Sequence, residues 1–151
     1  MLLLKSPQAT RRLGQRLGAL LEPGDFVALN GDLGAGKTLF VRGVAEGAGA
    51  EVATSPTFAL VNVYRGGRVF LQHLDLYRLR GPDDLFALGF DDLCAEPAAT
   101  LCEWAERAQG ALPPDRLEIA LSLAGPRSRN AFLRALGPRS EQLLAALEGR
   151  K

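Results

Sequence analysis

The chain has 151 residues, 47% of them hydrophobic, and a formal net charge of +1. That length suits one domain with one core, able to bury about 70% of the surface its unfolded form would expose. The near-neutral balance excludes a general electrostatic grip on a nucleic-acid backbone or an anionic membrane surface, so any RNA contact would be local.

Met1 to Leu4 are apolar, but Lys5, Ser6 and Pro7 interrupt them before a signal-peptide core or a membrane span could form, which predicts a cytoplasmic protein. Ser6 is placed to cap a helix whose first position is Pro7. Leu13, Leu17 and Leu20 or Leu21 then recur on one face until Pro23-Gly24 stops it. Asp25 to Asn30 carries the short apolar run Phe26-Val27-Ala28-Leu29, the pattern of a strand buried on both sides. A glycine-rich loop follows, then a helix over Leu39 to Ala48 that turns Val41, Val44 and Ala45 toward a sheet and ends at Gly47 and Gly49.

Phe58 to Tyr64 and Arg68 to Leu74 favour strands and flank Arg65-Gly66-Gly67, which predicts a β-hairpin. Pro82, Asp83 and Asp84 suit the first turn of a helix closed by Gly89, and Asp91-Asp92 reads as a second acidic cap. Strands are expected at Ala99 to Glu103, Leu117 to Leu123 and Asn130 to Leu136. Ser140 then opens a final helix with Leu143, Leu144 and Leu147 facing inward. Cys94 and Cys102 lack zinc spacing and read as small reduced core residues. With no repeat or linker, and with the glycine-rich loop Gly31 to Thr38 fitting G-x-x-x-x-G-K-[ST], residues 1–151 are expected to form a single α/β domain of the P-loop NTPase type, three-layered, with a mixed central sheet.

The segment Gly31-Asp32-Leu33-Gly34-Ala35-Gly36-Lys37-Thr38 fits G-x-x-x-x-G-K-[ST] at every fixed position and lies between a predicted strand and a predicted helix. Gly31, Gly34 and Gly36 let backbone N–H groups approach phosphate oxygens while the helix aims its positive dipole end at them. Lys37 adds a point charge toward the β- and γ-phosphates, and the Thr38 hydroxyl suits Mg²⁺. The loop supplies no carboxylate for the metal or its water shell. Glu103, at the end of Ala99 to Cys102, and Asp75, within His73-Leu74-Asp75-Leu76-Tyr77-Arg78, are the candidates, and an ordinary surface role is the alternative for each.

Ser55-Pro56-Thr57 is either a switch loop that senses the γ-phosphate or a plain turn. The guanine-reading pattern [NT]-K-x-D is absent from the three lysines Lys5, Lys37 and Lys151, which favours adenine. His73, the sole histidine, suits packing or hydrogen bonding better than zinc, and Trp104 could anchor a core edge.

With these landmarks in order, namely the glycine loop, Ser55-Pro56-Thr57-Phe58 with Leu60-Val61, His73 to Leu79 and Glu103-Trp104, the chain resembles the TsaE (YjeE) family nearly end to end. The resemblance implies a P-loop ATPase binding ATP and Mg²⁺, an auxiliary protein in threonylcarbamoyl modification of the tRNA adenosine next to the anticodon. Its implied partners are a TsaD-like carbamoyltransferase subunit and that subunit's TsaB-like paralogue, with tRNA met through the complex. By matching position, Lys37, Asp75 and Glu103 are the implied catalytic residues, Thr38 and Glu103 the metal residues, and Ser55, Pro56 and Thr57 the switch. The implied nucleotide contacts are Thr10, Gly31, Gly34, Ala35, Gly36, Lys37, Thr38, Leu39 and Arg127, with Arg129 the alternative in the same late basic turn. Leu39 stands where such proteins often carry a second hydroxyl residue, which leaves its backbone N–H for the α-phosphate. Two other readings compete: a small-molecule kinase with Arg78 and Arg80 in a lid, and a nucleotide-gated scaffold that barely hydrolyses ATP.

Overall fold

The computed structural model describes residues 1–32, 34–51, 61–64, 67–95 and 97–149. Ser55, Pro56 and Thr57 lie outside the described residues, as does Leu33 of the glycine loop.

Seven strands form one mixed sheet in the order β1-β7-β6-β2-β5-β4-β3. In chain order these are β1 (Leu2–Leu4), β2 (Phe26–Gly31), β3 (Val61–Tyr64), β4 (Leu71–Asp75), β5 (Ala99–Glu103), β6 (Leu117–Leu123) and β7 (Arg129–Ala135). The central four, β6, β2, β5 and β4, run parallel, and antiparallel β3, β7 and β1 extend the two sides. The helices are α1 (Pro7–Leu20), α2 (Lys37–Gly47), α3 (Pro82–Leu88), α4 (Phe90–Cys94) and α5 (Pro138–Leu147), with a short 3-10 turn at Ala105–Ala108.

Strand alternation divides the core into two layers. Val27, Leu29, Leu71, Ala99 and Leu101 point to one side, where Leu13 and Leu17 of α1, Phe40 and Val44 of α2, and Leu143 and Leu147 of α5 meet them. Phe26, Ala28, Leu74 and Cys102 point to the other and pack with Leu76, Leu79, Phe90 and Ala105. Leu144, expected inward, is half-buried.

Helix α1 begins as the sequence predicts, with Ser6 Oγ accepting from Ala9 N at 3.1 Å and Pro7 in the first turn. It then meets α2 at backbone distance. A β-carbon built on Gly14 would stand 2.3 Å from the Phe40 carbonyl oxygen and one on Gly18 2.0 Å from that of Val44; Gly43 and Gly47 of α2 are equally tight against Arg11 and Gln15. Two G-x-x-x-G stripes thus face each other. Gly47, expected only to end a helix, is here a packing residue, and the left-handed turn beyond it belongs to Gly49.

Several boundaries differ from expectation, and α5 opens at Pro138 with Gly137 as its cap, two residues before the expected start at Ser140. Leu2–Leu4, an apolar run to which the sequence reading assigns no element, is an edge strand paired with Ala131, Asn130 and Arg129. In the hairpin Tyr64 pairs with Leu71, so the connection spans residues 65–70 and β4 starts three residues later than expected. Arg68 is drawn away from the sheet, since its guanidinium donates to the Gly18 and Leu21 carbonyls at 2.8 and 2.6 Å and its backbone N–H to Ala48 at 2.8 Å. These bonds satisfy carbonyls at the C-terminal ends of α1 and α2 that would otherwise be orphaned.

Among the described residues no helix is long and apolar enough to cross a membrane. Cys102 is buried and Cys94 half-buried, both free thiols, with burial pushing the Cys94 thiol up to about 11.

Candidate functional site

The parallel strands β2, β5 and β4 end side by side, and the candidate site lies at those C-terminal ends. Strand β2 leads into the glycine loop at Gly31, whose φ of 153° and close approach to the Leu121 carbonyl leave no room for a side chain. Gly34 and Gly36 adopt φ of 83° and 97°, so the loop curls left-handed into the start of α2. The first helical bond is Phe40 N to Gly36 O at 2.9 Å. The N–H groups of Lys37, Thr38 and Leu39 therefore precede any intrahelical acceptor and are directed out of the helix end. That cradle suits an anion. Ala35 is buried, Thr38 is exposed and Leu39 half-buried at the opening.

Register brings the two predicted acids together, since Asp75 of β4 is the direct partner of Glu103 of β5. Lys37, only 8% exposed, holds its Nζ 4.0 Å from Glu103 Oε1. The same ammonium lies 4.8 Å from the centre of the Trp104 ring, which packs against Tyr77 at 5.0 Å. Trp104 is the one non-glycine residue among those described with positive φ, at 58°. The indole sits over Lys37 at the end of β5 while also packing on the cluster of Phe26, Leu74 and Cys102 on the other side of the sheet. Asp75 Oδ1 accepts the Tyr77 N–H at 3.1 Å.

Behind Glu103, His73 Nε2 donates to Glu103 Oε2 at 2.6 Å, and the Tyr64 hydroxyl meets His73 Nδ1 at 3.0 Å. A cavity of about 550 Å³ opens here; Lys37, Thr38, Tyr64, Asp75, Glu103 and Trp104 are among the residues lining it. Residue type alone did not mark Tyr64, His73, Tyr77 or Trp104 as parts of this site. The available signal was position: His73 precedes Asp75 by two in one strand and so shares its face.

The other predicted contacts sit behind the loop. Thr10 is buried, and a β-carbon at Gly36 would meet its methyl group at 3.5 Å and Arg129 Nε at 3.8 Å. Arg129 donates from Nη2 to the Gly34 carbonyl at 3.0 Å and from Nη1 to Ser128 at 2.9 Å. Of the two arginines in the late basic turn, Arg129 touches the loop, whereas Arg127 is exposed in the turn itself. Thr10 Oγ1 and Arg129 Nε are buried without a hydrogen bond, an arrangement that leaves polar capacity unused beside the cradle. No cluster of three or more metal-ligating side chains occurs among the described residues. A cation here would thus draw on Thr38, one carboxylate, water and the phosphates themselves, as Mg²⁺ at nucleotide sites does.

Comparison with known proteins gives one answer. Residues 4–131 match the family model described as threonylcarbamoyl adenosine biosynthesis protein TsaE. Relatives named tRNA threonylcarbamoyladenosine biosynthesis protein TsaE include one from Bacillus subtilis, 38% identical over 143 residues, covering 94% of this chain and 89% of the relative. A second, from Treponema pallidum, is 42% identical over 126 residues, 83% of this chain and 93% of the relative. The crystal structure of Bacillus subtilis YdiB superposes with a TM-score of 0.83 at 34% identity, covering 98% of this chain and 93% of that one.

Proposed function

The chain belongs to the TsaE family, and on that premise we propose that it is a weak Mg²⁺-dependent ATPase serving threonylcarbamoyl modification of tRNA adenosine. The relatives' names supply the pathway, and the site supplies the chemistry. The observation that carries the reading is Lys37, buried at the mouth of a left-handed glycine loop and 4.0 Å from the carboxylate of Glu103 on the adjacent parallel strand.

Each residue has a task that follows from its place. The loop amides and the N–H groups of Lys37, Thr38 and Leu39 hold phosphate oxygens, and Lys37 neutralises developing negative charge as the terminal bond stretches. Thr38 and Glu103 are the residues to hold Mg²⁺ or its water shell. A bound Mg²⁺ supplies charge neutralisation across neighbouring phosphates. Asp75, beside Glu103 in register, orders the attacking water or that shell. Thr10 and Arg129 support the loop from behind, Arg129 through its bond to the Gly34 carbonyl. Ser55, Pro56 and Thr57 retain the switch role that resemblance gives them.

On this reading the isolated protein turns over slowly, as an auxiliary subunit whose TsaD-like and TsaB-like partners complete the site. The relatives' names point to tRNA modification, not to phosphorylation of a metabolite, and thus favour this reading over a small-molecule kinase.

The deciding experiment is ATP hydrolysis by the protein alone and with the other threonylcarbamoylation proteins, wild type beside Lys37→Ala. Removing one charge-stabilising donor lowers turnover by about 100-fold or more. Partner-stimulated hydrolysis that collapses in a folded Lys37→Ala variant supports the assignment. Equal ATP affinity and turnover in that variant would refute the role of Lys37, and the absence of any complex or stimulation would remove the pathway reading.

A further inference from the structure

We propose that His73 is a positioning residue that locks the carboxylate of Glu103 toward Lys37, with Tyr64 fixing the imidazole from behind. The proposal rests on the nucleotide reading of the site given above. Three contacts in series carry it: Tyr64 hydroxyl to His73 Nδ1 at 3.0 Å, His73 Nε2 to Glu103 Oε2 at 2.6 Å, and Glu103 Oε1 to Lys37 Nζ at 4.0 Å.

An ionised carboxylate can only accept hydrogen bonds, so Nε2 is the donor in the short contact. With Oε2 tethered, the carboxyl group loses its rotation about the last side-chain bond, and Oε1 is left facing the lysine and the cavity. A glutamate at a strand end otherwise has three rotatable bonds and would sample several orientations, at a cost in rotamer entropy each time it adopted the useful one. Burial makes the tether dependable. Tyr64 and His73 are each 4% exposed, which excludes competing water from most of the chain of contacts. The two rings meet edge to face with centroids 6.1 Å apart, so packing as well as the hydroxyl holds the imidazole.

Asp75 does not do this work in place of His73. It lies beside Glu103 in register, but a carboxylate cannot donate to another carboxylate, and its Oδ1 is engaged by the Tyr77 N–H. If His73 were merely a satisfied core residue, its bond could end on any acceptor. Instead it ends on the carboxylate nearest the P-loop lysine.

The test is a double-mutant cycle in the full chain with its partners, comparing wild type, His73→Phe, Glu103→Gln and the double variant, with His73→Gln added as a donor-retaining control. Loss of an orienting hydrogen bond to a site ligand lowers function about 10-fold to 100-fold. We expect His73→Phe to lower kcat for ATP hydrolysis by about 10-fold with KM within about 3-fold, and His73→Gln to recover part of the loss. In the Glu103→Gln background His73→Phe should have no further effect, because its action passes through Glu103. An additive loss there, or a change confined to KM, overturns the proposal. The chain holds a single histidine, so its imidazole nitrogens give one unambiguous pair of resonances. Glu103→Gln should shift the Nε2 signal, and an unmoved Nε2 signal overturns the proposal even if the phenylalanine variant fails to fold. Should wild type with all partners hydrolyse no ATP, the ATPase reading fails, and the nitrogen spectrum alone still decides whether His73 holds Glu103.

Discussion

Alanine at Gly18 would put a methyl carbon 2.0 Å from the Val44 carbonyl oxygen, a backbone atom in the middle of α2 that no side-chain rotation can move. Ordinary carbon to carbonyl-oxygen contact begins near about 3.3 Å, so α1 and α2 must separate locally by about 1.3 Å. A gap of that order forfeits up to about half of the dispersion energy along the seam, which includes the fully buried Leu17, Phe40 and Val44. Overpacking of this kind costs about 3 kcal/mol, and the better helix preference of alanine returns about 1, leaving a net loss of about 2 kcal/mol. Urea unfolding followed by circular dichroism reads this directly. With a slope of about 2 kcal/mol per molar, the midpoint should fall by about 1 M at unchanged slope. Gly81→Ser is the matched control, because Gly81 sits in open space at the extended cap position of α3, where serine should be neutral or gain a few tenths of a kcal/mol. A Gly18→Ala midpoint equal to or above wild type would refute the close-packed seam. Since α2 begins at the phosphate loop and α1 supplies Thr10 behind it, nucleotide affinity of the variant should decline along with stability.

Two further outcomes follow from the same structure. Asp115 accepts the N–H groups of Arg139 and Ser140 at 2.9 and 3.0 Å; burial pushes its carboxyl up, but these donors outweigh it and hold the group below its ordinary 3.8. A lowered folded-state value means that its stabilisation is complete above the unfolded value and disappears as pH falls through the folded one. Asp115→Asn should therefore cost about 1 kcal/mol at neutral pH, with the gap to wild type closing below about pH 3.8, and a gap constant across acid titration of Tm would contradict the capping role. Trp104, the sole tryptophan, covers the Lys37 ammonium at 4.8 Å, so saturating Mg²⁺ and ATP should alter its emission as phosphate oxygens approach the lysine beside the indole. An unchanged spectrum at saturation, verified by an independent binding assay, would place the phosphates away from Lys37.

Much of this architecture was legible in the sequence because it rests on local rules. The Ser6-Pro7 cap, the buried run of β2, and β5 at Ala99–Glu103 appear as periodicity and capping predict. The glycine loop was legible because its spacing has a mechanical reason. What remained hidden depends on distant partners. Three leucines at the N-terminus become a strand only because β7, more than a hundred residues later, offers an unpaired edge. Gly14 and Gly18 look like helix weaknesses until Gly43 and Gly47 are seen opposite them. Arg68 reads as a hairpin residue, yet its guanidinium finds carbonyls at the end of α1. In the site, Asp75 and Glu103 were identifiable as acids near strand ends, but their pairing is a property of register between β4 and β5. His73 was recognisable as a hydrogen-bonding residue and not by its target.

Glu103 and Trp104 are neighbours in sequence and reach the same lysine by different means. The carboxylate arrives through regular strand alternation, whereas the indole arrives through a single left-handed residue that costs about 1 kcal/mol to maintain. The two groups around the lysine are thus anchored independently, the acid by its register with β4 and the indole by Tyr77 and Arg107, so that a change in the support of one leaves that of the other intact.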